Sequence, residues 1–92
     1  MIRSFRDSEA RKLFNDEFSR KYQAIERTAQ RKLTILDEAE TLRDLAVLPG
    51  TRLEALTKDR KGQHSIRIKD QFRICFTWTD GDAENVEIAD YH

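Results

Sequence analysis

With 92 residues, 38% of them hydrophobic and 37% charged, the chain has room for one small domain with a thin core. This composition excludes a disordered tail, which lacks the apolar positions a core needs. No run approaches the ~18 consecutive apolar residues of a membrane span, and the formal net charge is zero.

The start, Met1-Ile2-Arg3-Ser4-Phe5, turns polar at once, so no hydrophobic signal segment is read there. Ile2 and Phe5 suggest a short strand, at an edge or in the middle of a sheet. Asp7 or Ser8 then caps a helix running through Leu13, Phe14 and Phe18. A second helix is written more clearly. Ile25, Ala29, Leu33 and Leu36 recur at helical spacing, and Ala39, Leu42 and Ala46 continue the same stripe. It stops by Leu48, because Pro49 disfavours helical geometry in its predecessor.

Beyond Pro49-Gly50 the period changes to two. His64, Ile66 and Ile68 alternate with Ser65, Arg67 and Lys69; Phe72, Ile74, Phe76 and Trp78 alternate with Arg73, Cys75 and Thr77. Lys69-Asp70-Gln71 makes a tight connection. Asp80-Gly81 is a hairpin signal, since both residues tolerate positive φ. A last strand, Asn85 to Ala89, turns Val86 and Ile88 inward. The expectation is an α+β fold, β-α-α-β-β-β, with two N-terminal helices packed on a small antiparallel sheet in a single domain spanning 1–92. Cys75 is the one cysteine, so no internal disulfide forms; it reads as a small packed side chain, and a reducing cytosol fits.

The zero net charge hides an uneven distribution. Residues 58–73 carry six Lys/Arg against two Asp, whereas residues 74–92 carry five acids and no Lys/Arg. A cationic sheet face needs water or a polyanion. Cleaving RNA without a metal requires a base for the ribose 2′-hydroxyl, a cation for the phosphate and an acid for the departing 5′-oxygen, and acid–base groups give ~10²–10⁴-fold each. Candidates exist for each task. Arg73 points away from the Phe72/Ile74/Phe76 side and offers a fork of donors for a phosphate. Arg67 shares that face. His92 titrates near neutrality; Tyr91 can stack on a base or supply a proton, and Asp90 can orient His92. Lys58, Arg60 and Lys61 sit in the loop before the second strand, placed for phosphates. His64 is a further possible catalytic residue, though in step with Ile66 and Ile68 it is expected to be partly buried. On the residues alone each has a plainer explanation: a solvated arginine, a terminal histidine, a packing tyrosine. No metal motif and no glycine-rich phosphate loop is present, and no cofactor is expected.

Read together, Arg52-Leu53-Glu54-Ala55-Leu56, Lys58-Asp59-Arg60-Lys61-Gly62-Gln63-His64-Ser65-Ile66-Arg67-Ile68, Gln71-Phe72-Arg73-Ile74-Cys75-Phe76, Asp80-Gly81-Asp82-Ala83 and the closing Asp90-Tyr91-His92 resemble the HigB-type toxins, a branch of the RelE/ParE superfamily. The resemblance spans the full chain. It implies a RelE-like, microbial-ribonuclease-type fold and cleavage of messenger RNA in the ribosomal A site, in the bacterial cytoplasm. It also implies a helix-turn-helix, HigA-like antitoxin whose complex with the toxin binds operator DNA. Under it Arg73 faces the scissile phosphate, Asp90, Tyr91 and His92 form the terminal catalytic group, and Lys58 and Arg60 contact RNA or ribosome. Glu54 stands where several relatives carry a histidine, and Thr57 where some carry a lysine. The general base therefore stays open between His92 and Glu54. Two other readings remain: a ParE-like gyrase inhibitor, against which the Asp-Tyr-His ending argues, and a catalytically weak toxin acting as an antitoxin-binding co-repressor.

Overall fold

The computed structural model describes residues 1–91. Helix α1 (Ser8–Phe14) starts where Asp7 caps it, its carboxylate accepting from the Glu9 amide at 2.9 Å. The helix ends at Asn15, so Phe18 lies outside it and is exposed, unlike the continuous helix expected through that residue. A 3-10 turn (Gln23–Ile25) leads into α2 (Glu26–Glu38), which buries Ala29, Leu33 and Leu36 as its spacing predicts.

The stripe expected to run on to Ala46 is broken. Ala39 is extended, and a separate helix α3 (Leu42–Ala46) follows. The cause is a capping box. The amides of Glu40 and Thr41 donate to Asp44 Oδ2 at 2.9 and 3.0 Å, and the Asp44 amide donates to Thr41 Oγ1 at 3.2 Å. The new axis buries Leu45 and leaves Ala46 exposed. Buried Thr51 then closes α3, its hydroxyl donating to the carbonyls of Leu45 at 2.6 Å and Leu48 at 3.1 Å.

The sheet is antiparallel in the order β1 (Glu54–Ala55), β2 (Gln63–Lys69), β3 (Phe72–Thr79), β4 (Asp82–Asp90). Its alternation follows the period-two pattern: Ile66, Ile68, Ile74, Phe76, Val86 and Ile88 face α1 and α2 and form one core with them. Asp80 and Gly81 both adopt positive φ, 51° and 84°, as a tight hairpin requires. The two-residue strand β1 is an addition to the expected topology. The N-terminal segment runs parallel along the outer side of β4 through single bridges, Ile2 to Ala83 and Phe5 to Val86. No helix among the described residues is long and apolar enough to cross a membrane.

Candidate functional site

The face of the sheet away from the helices is built by register. Glu54 lies opposite Ser65, Ser65 opposite Cys75, and Cys75 opposite Glu87, so one row crosses all four strands. The next row sets Arg67 against Arg73 and Arg73 against Ala89. Two arginines side by side on neighbouring strands repel, so one of them needs acceptors. Arg73 finds them. Its Nε–H donates to Ser65 Oγ at 2.7 Å, and its Nη2 donates to the carbonyls of Arg52 at 2.6 Å and Ser65 at 3.3 Å. Glu54 Oε1 stands 4.0 Å from the same Nη2. The Arg73 side chain is 12% exposed, so the guanidinium is held rather than free in solvent. Arg52, whose carbonyl serves it, carries a positive φ of 46°, a backbone state uncommon for a non-glycine residue. Among the described residues no hydrogen bond of Arg73 uses Nη1, which leaves that edge of the fork for a ligand.

Beside this row opens a groove of about 640 Å³, lined among others by Lys58, Asp59, Arg60, Glu87, Asp90 and Tyr91. Tyr91 follows β4, its amide donating to the Gln71 carbonyl at 2.8 Å. Its hydroxyl lies over Cys75, 3.5 Å from Sγ. Burial pushes the Tyr91 phenol above its ordinary range, and the bond with Cys75 adds to the shift. Burial likewise pushes the Cys75 thiol up, against the opposing pull of the Tyr91 bond and of Arg60. Both groups are therefore neutral at physiological pH. Arg60 reaches in from the 3-10 turn Lys58–Arg60, its Nη1 donating to Gln63 Oε1 at 3.1 Å and Glu87 Oε2 at 3.3 Å. Burial opposes its charge, but the Glu87 bond, with smaller contributions from Cys75, the Glu87 charge and Tyr91, raises its pKa overall.

The residues singled out from sequence divide into groups. Lys58, Arg60, Asp90 and Tyr91 share the groove. Arg73 and Glu54 form a pair on the same face, joined to the groove through Cys75 and Tyr91. Arg67 is on that face as well, while Lys61 is exposed and does not line the groove. His64 is half-buried and stacks on Phe76 with ring centres 6.2 Å apart, away from Arg73; its Nδ1 has no hydrogen-bond partner among the described residues. His92 lies outside the described residues. Sequence reasoning missed Ser65 as the acceptor for Arg73, and Glu87. The signal for Glu87 was available: it alternates with Val86 and Ile88, so it had to face the same way as Arg73. Among the described residues no cluster of three or more His, Cys, Asp or Glu is placed to hold a metal ion.

Residues 3–92 match the family described as RelE-like toxin of type II toxin–antitoxin system HigB. The chain is 38% identical over 87 residues to Toxin HigB-1 of Vibrio cholerae serotype O1, covering 92% of each chain. Among solved structures it is similar to a chain of the heterotetrameric YoeB–YefM toxin–antitoxin complex from Staphylococcus aureus. That match has a TM-score of 0.61 and 20% identity, and covers 100% of this chain and 98% of the other.

Proposed function

The chain belongs to the HigB family of RelE-like toxins of type II toxin–antitoxin systems, and on that premise we propose that it is a ribosome-dependent endoribonuclease that cuts messenger RNA in the A site without a metal. The observation that carries this reading is Arg73, nearly buried on a polar sheet face, pinned by three acceptors and with Glu54 beside it, while the Tyr91 hydroxyl lies over Cys75 in the neighbouring row. A guanidinium held in this way is prepaid in orientation, which is how charge stabilisation becomes a large catalytic contribution.

In the proposed reaction the ribose 2′-oxygen forms a bond to phosphorus as the bond to the 5′-oxygen breaks. The products are a 2′,3′-cyclic phosphate and a 5′-hydroxyl. Arg73 stabilises the charge that builds on the phosphate. Glu54 takes the 2′-proton, a role supported by its exposed carboxylate lying 4.0 Å from Arg73. His92 then supplies the proton to the 5′-oxygen, with Asp90 positioning it. The neutral Tyr91 phenol orients the substrate. Lys58, Arg60 and Arg67 contact the RNA backbone or ribosome. The ribosome aligns the RNA, a proximity contribution that compensates for a sparse site. A helix-turn-helix antitoxin of the HigA kind is the proposed inhibitor, and operator DNA is reached only through that complex. The proposed place of action is the bacterial cytoplasm, and residues 1–92 are taken as one toxin domain.

The test is cleavage of messenger RNA programmed on purified 70S ribosomes by the wild-type chain, Glu54→Gln and His92→Gln. A-site cleavage by the wild type, lowered ~10²-fold or more in each variant, supports the reading. Full activity in Glu54→Gln would move the base to His92. No cleavage by the wild type would remove the ribonuclease reading, and inhibition of DNA gyrase would then be measured.

A further inference from the structure

A carboxylate is an unexpected wall for a groove that has to take up RNA phosphates. Glu87 stands on the polar face of β4, opposite Cys75, and its side chain is only 19% exposed. Its Oε2 meets two guanidinium groups, Arg60 Nη1 at 3.3 Å and Arg6 Nη1 at 3.7 Å. Charge counting alone says that this acid weakens phosphate binding. The geometry points the other way. Building on the ribonuclease reading, we propose that Glu87 is a positioning residue that fixes the Arg60 guanidinium in the groove, so that Arg60 meets a second RNA phosphate beyond the one gripped by Arg73.

Arg60 needs side-chain partners because it sits on a short turn and not within a strand. It ends a three-residue 3-10 turn that begins at Lys58 with a positive φ of 55°. A long side chain on such a turn samples many rotamers, and ordering it on binding costs affinity. In the structure the cost is met in advance. Gln63 on β2 and Glu87 on β4 both accept from Nη1, so two strands of the sheet grip one corner of the guanidinium. Arg60 is still 33% exposed and lines the groove, leaving its remaining donors for a ligand. Arg6 meets the same carboxylate, so two guanidinium groups share Glu87 and its charge is offset where it stands. Glu87 touches Arg60 and not the reacting atoms, so it acts through position.

The experiment measures half-saturating toxin concentration and cleavage rate on programmed 70S ribosomes at several salt concentrations. The proteins are wild type, Arg60→Ala, Glu87→Ala, Glu87→Gln and the Arg60→Ala/Glu87→Ala double variant, each with its melting temperature. We expect Glu87→Ala to weaken binding by about tenfold and to lower the salt slope by about one, as Arg60→Ala does. In the Arg60→Ala background Glu87→Ala then adds nothing. Glu87→Gln keeps an oxygen that accepts from Nη1 and recovers most of the binding, and it carries the test if Glu87→Ala fails to fold. Tighter binding by Glu87→Ala would overturn the proposal, since the acid would then only repel phosphate. So would losses that multiply in the double variant. So would a Glu87→Gln as poor as Glu87→Ala in rate rather than in binding, which would make the acid a proton carrier. A wild-type chain that does not cleave removes the ribonuclease reading and this proposal with it; a cleaving wild type with multiplying losses removes this proposal alone.

Discussion

Replacing Arg73 by lysine keeps the positive charge and removes the fork. In the structure Nε–H reaches Ser65 Oγ at 2.7 Å while Nη2 reaches the Arg52 carbonyl at 2.6 Å. A single ammonium on a flexible stem does not span both while also presenting an edge to a phosphate. Hydrogen bonds that involve a charged group are worth ~1.5–3 kcal/mol each. With one of the two re-formed by the ammonium, the net loss is about 2 kcal/mol of stability. For a domain of this size that corresponds to a fall in melting temperature of roughly 8–16 °C. Cleavage falls further, by ~10²–10³-fold, as for removal of a preorganised charge donor. Calorimetry and single-turnover cleavage on programmed ribosomes read the two effects separately. A variant that melts lower but cleaves within a few-fold of wild type refutes the argument from the fork, because a point charge would then suffice. An unchanged melting temperature refutes the anchoring itself.

Thr51→Val keeps the shape of a buried side chain, removes the hydroxyl donor of the Leu48 carbonyl and leaves the Leu45 carbonyl only the longer bond from the Leu48 amide at 3.3 Å; a loss of ~1–3 kcal/mol is expected by denaturant unfolding, and a change below ~0.5 kcal/mol would show that water replaces the hydroxyl. Burial raises the Cys75 thiol above its ordinary 9.0 and the Tyr22 phenol above its ordinary 10.0. Each group's stabilisation is therefore complete below its unfolded value and is lost as pH rises through the raised folded value. Melting temperature should fall above about pH 9, and Cys75→Ala and Tyr22→Phe should each flatten that fall. The same burial predicts that iodoacetamide at pH 8 labels Cys75 only after unfolding, and labelling of the native chain at a comparable rate would contradict it.

The strands were legible because their pattern is local. Ile66, Ile68, Ile74 and Phe76 declare an inner face, and Arg73 falls outward by parity alone. Asp80-Gly81 marks its own turn through the conformations it tolerates. The break after α2 was hidden because Ala39, Leu42 and Ala46 keep helical spacing across it. The deciding contacts are the reciprocal bonds of Thr41 and Asp44, a shorter signal than the stripe. Strand β1 is too short for a two-residue period to show. The least legible features join distant residues. Arg60 and Glu87 are 27 positions apart, and Arg73 depends on a carbonyl 21 positions away. Such pairs are set by strand register, which sequence patterning constrains only through which face is buried.

The segment beside β4 has a consequence for how the chain is made. Arg3 Nε bonds Asp82 Oδ2 at 3.0 Å, and the Asn85 amide bonds Ser4 Oγ at 2.9 Å, across 79 and 81 positions of sequence. These bonds of the Ile2–Phe5 segment therefore cannot form until β4 is synthesised, whereas the Ile2 amide bond to Asp37 needs only α2. Contacts of such long sequence separation form slowly, because loop closure precedes any gain. The same late strand leads into Tyr91 and carries Glu87. Docking of the Ile2–Phe5 segment on β4 and completion of the polar face thus depend on one event, the arrival of a single strand.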